Sequence, residues 1–354
     1  MSIEFRNVSK RYGGAASPLV VKGIDLLVPT GTLTTLLGPS GCGKTTTLRM
    51  IAGLDAPSSG QILIDGQDVT LLGPAERNVS MVFQSYALFP HLNVLDNVGY
   101  GLSVSGVSKA ETRRRAQAAM DSVGLNGYDQ RLPSELSGGQ QQRVAVARSL
   151  VLEPRVLLFD EPLSNLDARL RRSMREEIRA LQQRLKLTVA YVTHDQSEAL
   201  AVSDQIVVMN AGHVAQAGTP AQLFEEPQSE FVAGFMGEAM LFSAVTDLQG
   251  QVTLGPLVFQ SRRPVAAGTA GPVKVAVRPE AWQIDGAGAG QAACAGLTGT
   301  LLKCSYLGSV QELTLATALG EIFAVSPDVA RAWRVGETLS LTLAEKGVSI
   351  VAAG

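Results

Sequence analysis

The stretch "GPSGCGKT", Gly38–Thr45, decides the fold of this chain. It follows the apolar run "GTLTTLLG", and "TTTLRMIAGL" after Lys44 has the pattern of a helix that ends at Gly53. A strand, a glycine-rich turn and a helix together form the context that a phosphate-binding loop needs. In such a loop, successive backbone N–H groups at a helix N-terminus form a nest for an anion. We therefore predict a phosphate site here, with Lys44 reaching the β- and γ-phosphates.

A second motif supplies the other half of a phosphoryl-transfer site. In "VLLFDEP", Val156–Pro162, a buried strand ends in two carboxylates. Asp160 at the end of that strand is placed to hold Mg²⁺ together with the Thr45 hydroxyl, and Glu161 beside it can polarise an attacking water. The two motifs together predict hydrolysis of a bound nucleotide.

A third motif raises a question, because it looks like a second phosphate cradle. "LSGGQQQR", Leu136–Arg143, places a Ser-Gly-Gly turn at the start of a helix. Backbone N–H groups, the Ser137 hydroxyl and the helix dipole are all available there to an anion. One nucleotide does not need two cradles, so this turn requires a different explanation from the first.

Length and composition indicate two globular domains. The chain has 354 residues, 45% hydrophobic and 18% charged, and a formal net charge of −2. This charge balance disfavours a nucleic-acid partner. The three cysteines, Cys42, Cys294 and Cys304, show no CxxC spacing and predict no disulfide framework. We expect neither a signal peptide nor a transmembrane helix, since no long apolar run occurs.

The pattern of elements divides the chain near residue 235. Residues 1–235 alternate apolar strands with helices, which predicts an α/β domain with a core sheet flanked by helices. Residues 236–354 consist of short Val-, Leu- and Thr-rich runs separated by glycine turns. Many short strands at close spacing predict a small all-β barrel.

Six motifs in order resemble the ATPase subunit of an ABC transporter. The three quoted above are joined by Gln84 in "VFQSYALFPH", by "SNLD" (Ser164–Asp167) and by "THD" (Thr193–Asp195). The second domain is similar to the OB-like regulatory domain of bacterial importer ATPases, and "VRPE" (Val277–Glu280) is typical of it. The resemblance implies an ABC-type P-loop ATPase domain with a helical subdomain, followed by an OB-like barrel.

The resemblance also assigns roles to individual residues. Glu161 would be the catalytic base, with His194 and Gln84 orienting the water, and Mg²⁺ would be bound by Thr45, Gln84 and Asp160. Tyr12 would stack on the adenine of ATP. Contacts to the nucleotide would come from Tyr12, Gly38, Pro39, Ser40, Gly41, Cys42, Gly43, Lys44, Thr45, Thr46, Ser137, Gly138, Gly139, Gln140 and Asp167.

Assembly follows from the same resemblance. In the family, the Ser-Gly-Gly turn of one chain completes the ATP site of a second copy in a head-to-tail dimer, which would explain the second cradle. The region from Gln84 to Leu102, with Tyr86, Leu88 and Phe89, would contact two integral membrane permease subunits. The chain would lie peripherally at the cytoplasmic face of the inner membrane and serve a periplasmic or lipid-anchored solute-binding protein indirectly.

The transported solute is left open by the sequence. "FQSYALFPH" is most similar to the polyamine, ferric iron and phosphonate branches, and a sugar importer remains an alternative. A soluble ABC ATPase without a transport role is a rival from another class, although this chain has neither a long coiled coil nor a second ATPase domain. A third reading makes the second domain chiefly a sensor of a small ligand.

Overall fold

The chain folds as two units, which divide at Pro220. This computed structural model describes residues 1–14, 16–260, 270–286 and 296–351. The strands of the first unit are β1 (Ile3–Arg11), β2 (Leu19–Val28), β3 (Leu33–Leu37), β4 (Ser59–Ile64), β5 (Gln67–Asp68), β6 (Val79–Val82), β7 (Val156–Asp160), β8 (Thr188–Thr193), β9 (Gln205–Asn210) and β10 (His213–Gly218). Its helices are α1 (Lys44–Ala52), α2 (Val94–Val104), α3 (Lys109–Ser122), α4 (Gly138–Leu150), α5 (Ala168–Leu185) and α6 (Gln196–Val202).

A six-stranded sheet forms the centre of the first unit. Its strand order is β10-β9-β3-β8-β7-β6, and all neighbours are parallel except β10, which pairs antiparallel with β9. Every residue of β3 and of β8 is buried, as expected for strands covered on both faces. The predicted α/β arrangement is confirmed.

The carboxyl ends of four parallel strands carry the predicted site. The phosphate loop follows β3, Gln84 follows β6, Glu161 follows β7 and His194 follows β8. Since parallel strands end at the same edge of a sheet, these residues are brought to one place. A separate antiparallel sheet, in the order β2-β1-β4-β5, lies in the same unit.

Helix ends follow local chemistry. Helix α1 stops at Gly53, which has φ +75° and whose N–H donates to carbonyls of the last turn. Helices α2, α3 and α4 share a hydrophobic core of their own, which includes Val98, Met120 and Val144. These three helices are the predicted helical subdomain.

The second unit is built mainly of strands. It contains α7 (Pro220–Glu225), α8 (Glu230–Phe235), β11 (Met240–Thr246), β12 (Gln251–Leu254), β13 (Leu257–Gln260), β14 (Gly271–Val277), β15 (Trp282–Gly286), β16 (Leu297–Tyr306), β17 (Gln311–Thr317), β18 (Gly320–Ser326), β19 (Thr338–Leu343) and β20 (Val348–Val351). They form two five-stranded antiparallel sheets, in the orders β13-β12-β11-β14-β20 and β15-β19-β16-β17-β18. The side chains between them form one core.

The units divide at an earlier residue than the sequence pattern suggests. Composition changes after residue 235, whereas α8 already belongs to the second unit. The reason is packing, since Ala233 of α8 is buried in a cluster with Ala276 and Val351. Among the described residues, no helix is long and apolar enough to cross a membrane. Cys42 and Cys304 are free thiols, and Cys294 lies outside the described residues.

Candidate active site

The phosphate loop is wrapped too closely for side chains at its glycines. A Cβ on Gly38 would lie 2.3 Å from the carbonyl oxygen of Met209, and one on Gly43 would lie 3.1 Å from that of Val20. Gly43 also caps α1 with φ +103°, a conformation that favours glycine. These two glycines are therefore required by the backbone path, which leaves the N–H groups of the loop at the start of α1 as an anion nest.

Lys44 places its charge inside this loop. The side chain is buried, and Nζ donates to the carbonyl oxygens of Gly38 at 2.7 Å and Pro39 at 3.0 Å. Its third partner is Cys42 Sγ at 3.9 Å, so none of the hydrogen-bond partners given for Nζ among the described residues is a carboxylate. The residues present therefore fit the phosphates of a nucleotide.

Thr45 and Asp160 meet where the sequence places the metal. The Thr45 hydroxyl donates to Asp160 Oδ1 at 3.1 Å. Burial raises the pKa of Asp160, and the hydrogen bond from Thr45 opposes that rise. A hydroxyl and a carboxylate are hard oxygen donors of the kind that Mg²⁺ uses, with phosphate and water completing its shell. The described residues hold no group of three or more His, Cys, Asp or Glu side chains that could bind a metal by themselves.

Glu161 and His194 form a hydrogen-bonded pair. Glu161 Oε2 lies 3.1 Å from His194 Nδ1. The Glu161 backbone is left-handed, with φ +45°, and its N–H donates to the carbonyl oxygen of Val192 at 3.1 Å. A carboxylate fixed at its backbone and oriented by a second side chain has the geometry of a general base.

Gln84 is tied to the Ser164–Asp167 motif. The side-chain amide of Gln84 donates to Ser164 Oγ at 3.2 Å. Its backbone carbonyl oxygen accepts from Asn165 Nδ2 at 3.0 Å. The Ser164 hydroxyl in turn donates to the carbonyl oxygen of Glu161 at 3.0 Å. The structure thus brings Gln84 and Glu161 together through one serine.

Tyr12 stands beside the phosphate-loop helix with its ring open to solvent. The side chain is 48% exposed, and its hydroxyl donates to Asp55 Oδ2 at 2.8 Å. Lys10 Nζ lies 4.8 Å from the ring centroid. Asp55, which is also paired with Arg49 at 2.7 Å, was not found from the sequence because it belongs to no motif.

The predicted contacts from the second cradle are not made within one chain. Ser137 caps α4, accepting from the Gln140 N–H at 3.4 Å, and the Gln140 side chain accepts from the Ser137 N–H at 2.9 Å. Asp167 caps α5 in the same way. In the part of the chain that the structure describes, no hydrogen bond or ion pair joins 137–140 to 38–46.

Tyr86 requires a correction. The resemblance makes it a candidate contact to the permease subunits, but its side chain is only 5% exposed and packs in the core. Tyr86 and Ala87 both have positive φ, at +61° and +48°, and their carbonyl oxygens accept from Arg148 at 2.8 Å and 2.7 Å. This turn rotates the tyrosine inward. Arg148 was missed because nothing in the sequence links it to a loop so far away.

Two family models match the chain in separate parts. The ABC transporter model matches residues 21–164, and the TOBE domain model matches residues 275–350. The first match covers the phosphate loop and the Ser-Gly-Gly turn, and the second falls within the all-β unit.

Similar proteins extend the likeness to almost the whole chain. A Rhizobium meliloti protein named Fe(3+) ions import ATP-binding protein FbpC 1 is 53% identical over 99% of this chain and 98% of its own length. The Escherichia coli protein FbpC, of the same description, is 51% identical over 88% of this chain and 87% of its own.

Solved structures resemble the first unit. The ATP-binding cassette MJ0796, described as a dimer in a post-hydrolysis state bound to ADP and Pi, matches with a TM-score of 0.56 and 32% identity. The match covers 62% of this chain and 98% of that one. The structure of cbiO1 from Clostridium perfringens matches with a TM-score of 0.59 and 30% identity, over 63% of this chain and 90% of that one. Motifs, site geometry and full-length similarity agree, and the chain therefore belongs to the ATP-hydrolysing subunits of ABC transporters.

Proposed function

We propose that this chain is the energy-coupling ATPase of a ferric iron importer. The proposal is supported by relatives that are 51–53% identical in sequence over 88–99% of the chain and are named as Fe(3+) ions import ATP-binding proteins. Of the solutes that the sequence left open, these names favour ferric iron over polyamines, phosphonates and sugars.

The observation that carries the chemistry is the Glu161–His194 pair, at 3.1 Å. In the proposed reaction Lys44 and the loop N–H groups hold the phosphates, and Glu161 accepts the proton of the attacking water. His194 orients that carboxylate and the water. Mg²⁺, when bound at Thr45 and Asp160, supplies positive charge to the phosphates, and Gln84 is the further residue proposed to reach it.

A second copy of the chain is part of the proposal. Ser137 lies exposed at the start of α4, and among the described residues no hydrogen bond joins this turn to the phosphate loop of its own chain. The dimeric state described for MJ0796 supports a dimer. In the arrangement that we propose, each Ser137–Gln140 turn meets the ATP of the other copy. Such a pairing is isologous and closed, so it stops at two chains.

The membrane partners are proposed to bind an apolar surface beside the Gln84 loop. Phe89 packs against Tyr100 of α2, with 4.4 Å between ring centroids and 43° between the ring planes. Tyr100 is 43% exposed, and Val104 one turn further is 71% exposed. Leu88 is half-buried next to them. We propose that two permease subunits bind the dimer at the cytoplasmic face of the membrane, each through a short helix on this surface of one copy. The permease subunits in turn receive iron from an external binding protein.

The test compares iron uptake with and without the proposed base. Cells that lack their own copy of this gene are complemented with the wild-type chain or with Glu161→Gln, and uptake of radiolabelled ferric iron and spermidine is measured. We expect the wild type to restore iron uptake and Glu161→Gln to fail, with the purified variant hydrolysing ATP about a hundredfold or more slowly.

The matched control is Glu176→Gln, since Glu176 is an exposed carboxylate on α5 and undergoes the same chemical change. It is expected to restore uptake fully. Restoration of spermidine uptake instead of iron uptake contradicts the assigned solute, and full ATP hydrolysis by Glu161→Gln contradicts the assigned base.

A further inference from the structure

The turn that carries His194 rests on a buried carboxylate. Glu198 of α6 is 4% exposed, and its Oε2 accepts hydrogen bonds from Thr193 Oγ1 at 2.8 Å and from the Tyr191 hydroxyl at 3.2 Å. The Glu198 N–H donates to Asp195 Oδ1 at 3.0 Å. Both residues that flank His194 are therefore hydrogen-bonded to Glu198, Thr193 to its carboxylate and Asp195 to its backbone N–H, and these bonds hold the turn.

Arg171 connects this turn to another part of the site. Its guanidinium has Nη1 3.5 Å from Asp195 Oδ2 and Nε 3.7 Å from Glu198 Oε1. On the other side, Nη2 donates to the carbonyl oxygen of Leu166 at 3.1 Å, and the Arg171 N–H donates to that of Asp167 at 2.8 Å. The Arg171 side chain thus contacts the Leu166 carbonyl oxygen on one side and the carboxylates of Asp195 and Glu198 on the other.

The contacts on the His194 side are ion pairs rather than hydrogen bonds. Distances of 3.5 and 3.7 Å exceed the usual N–H···O range, and Arg171 Nε is buried without a hydrogen-bond partner. The link between Arg171 and these two carboxylates therefore depends on charge, which makes it testable by removing the charge on either side.

We propose that Arg171 is a positioning residue that holds the turn of His194 in place through Asp195 and Glu198. The inference rests on the proposed function, in which His194 orients Glu161 and the attacking water. Without the guanidinium, Asp195 and Glu198 lose the positive charge that faces them, and the Leu166 carbonyl oxygen loses a donor. The turn of His194 then shifts, because Thr193 is bonded to the Glu198 carboxylate and Asp195 to the Glu198 N–H, and the hydrogen bond of His194 to Glu161 is weakened.

The experiment replaces Arg171 with methionine, which keeps an apolar stem and removes the guanidinium. Purified full-length chains are assayed for steady-state ATP hydrolysis, nucleotide affinity and melting temperature. We expect kcat to fall about tenfold while KM for ATP changes less than about twofold, as for a residue that acts through another. The matched control is Arg172→Met on the same helix, whose ion pair with Glu176 is exposed on both sides and is expected to matter little.

A second variant makes the test independent of the stability of the first. Glu198→Gln keeps an acceptor for Thr193 and Tyr191 but removes the charge that faces Arg171. Its kcat is expected to fall to a similar extent, and the double variant with Arg171→Met is expected to be no slower than either alone, because both break one link. Arg171→Lys keeps the positive charge but lacks the planar guanidinium with its several N–H donors. Its rate of ATP hydrolysis is expected to lie between those of Arg171→Met and the wild type.

The outcomes separate this inference from the proposed function. An Arg171→Met chain as active as the wild type contradicts the inference alone. Multiplicative losses in the double variant also contradict it, as does a loss of kcat matched by equal losses in affinity and melting temperature. A wild-type chain that does not hydrolyse ATP contradicts the proposed function itself.

Discussion

At the scale of the residue, the backbone conformation of Glu161 determines where its carboxylate points. It has a left-handed conformation, with φ +45°, which a non-glycine residue adopts at a cost of about 1 kcal/mol or more. The hydrogen bonds of its N–H to Val192 and of its carbonyl oxygen to Ser164 hold it there. The carboxylate is thereby directed to His194 rather than along the strand.

Single residues were predictable from the sequence where a motif fixes their local geometry. The motifs bring Thr45 within 3.1 Å of Asp160 and Glu161 within 3.1 Å of His194, because Asp160, Glu161 and His194 lie at the ends of buried strands and Thr45 lies at the start of α1. Tyr86 could not be placed in this way, since burial depends on the turn at Ala87 and on what packs around it. The contacts of Arg171 with Asp195 and Glu198 could not be predicted either, because they join segments that are distant in the sequence and no motif links them.

Tyr12 offers a test of nucleotide recognition at this scale. If its exposed ring stacks on adenine, Tyr12→Ala is expected to raise the Kd for ATP about tenfold, as loss of one base–aromatic contact does. Tyr12→Phe is the matched control, because it keeps the ring and removes only the hydroxyl that donates to Asp55. Nucleotide titration by calorimetry distinguishes them. Equal affinity of the alanine and phenylalanine variants contradicts stacking.

At the scale of the element, the site is assembled by strand ends and helix starts. Strands β3, β6, β7 and β8 deliver their loops to one edge, and the starts of α1 and α4 offer N–H groups to anions. The end of α1 at Gly53 was predictable, because glycine readily takes the left-handed conformation that stops a helix. The pairing order of the sheet was not, because it depends on contacts between distant segments.

Arg148 connects the helix of the Ser-Gly-Gly turn with the loop after Gln84, and this link can be tested. Its two hydrogen bonds satisfy the carbonyl oxygens of Tyr86 and Ala87, both in left-handed conformations. Burial lowers the pKa of Arg148, which still remains charged at neutral pH. In Arg148→Met we expect amide hydrogen exchange in the loop to accelerate about tenfold or more, since hydrogen bonds from a charged donor contribute about 1.5–3 kcal/mol.

The control for this prediction is Arg184→Met, which removes a single hydrogen bond from an arginine to the carbonyl oxygen of Ser122. Exchange in the loop after Gln84 is expected to be unchanged in that variant. If Arg148→Met leaves exchange at 85–89 as slow as in the wild type, the loop is held by its own packing and not by the arginine.

At the scale of the whole molecule, the chain contains one phosphate loop and one Ser-Gly-Gly turn, and no hydrogen bond joins the two in the part of the chain that the structure describes. The sequence predicted both elements, the α/β unit and the all-β unit. It placed the change between units after residue 235, whereas the structure divides them at Pro220, because the burial of α8 on β14 is a matter of packing rather than composition. The absence of hydrogen bonds between the two cradles among the described residues is the observation on which the proposed second copy rests.

The central claim, that each ATP site is shared between two chains, is tested most directly by mixing two inactive variants. Ser137→Arg keeps an intact phosphate loop and blocks the turn, whereas Lys44→Ala keeps the turn and loses the buried ammonium. A mixed dimer then contains one complete site and one that is defective on both sides.

The measurement is ATP hydrolysis by each variant alone and by their equimolar mixture. The account predicts that each alone is nearly inactive and that the mixture recovers up to about a quarter of the wild-type rate, since half of randomly paired dimers are mixed and each has one working site. A mixture that is no more active than its two components contradicts the shared site.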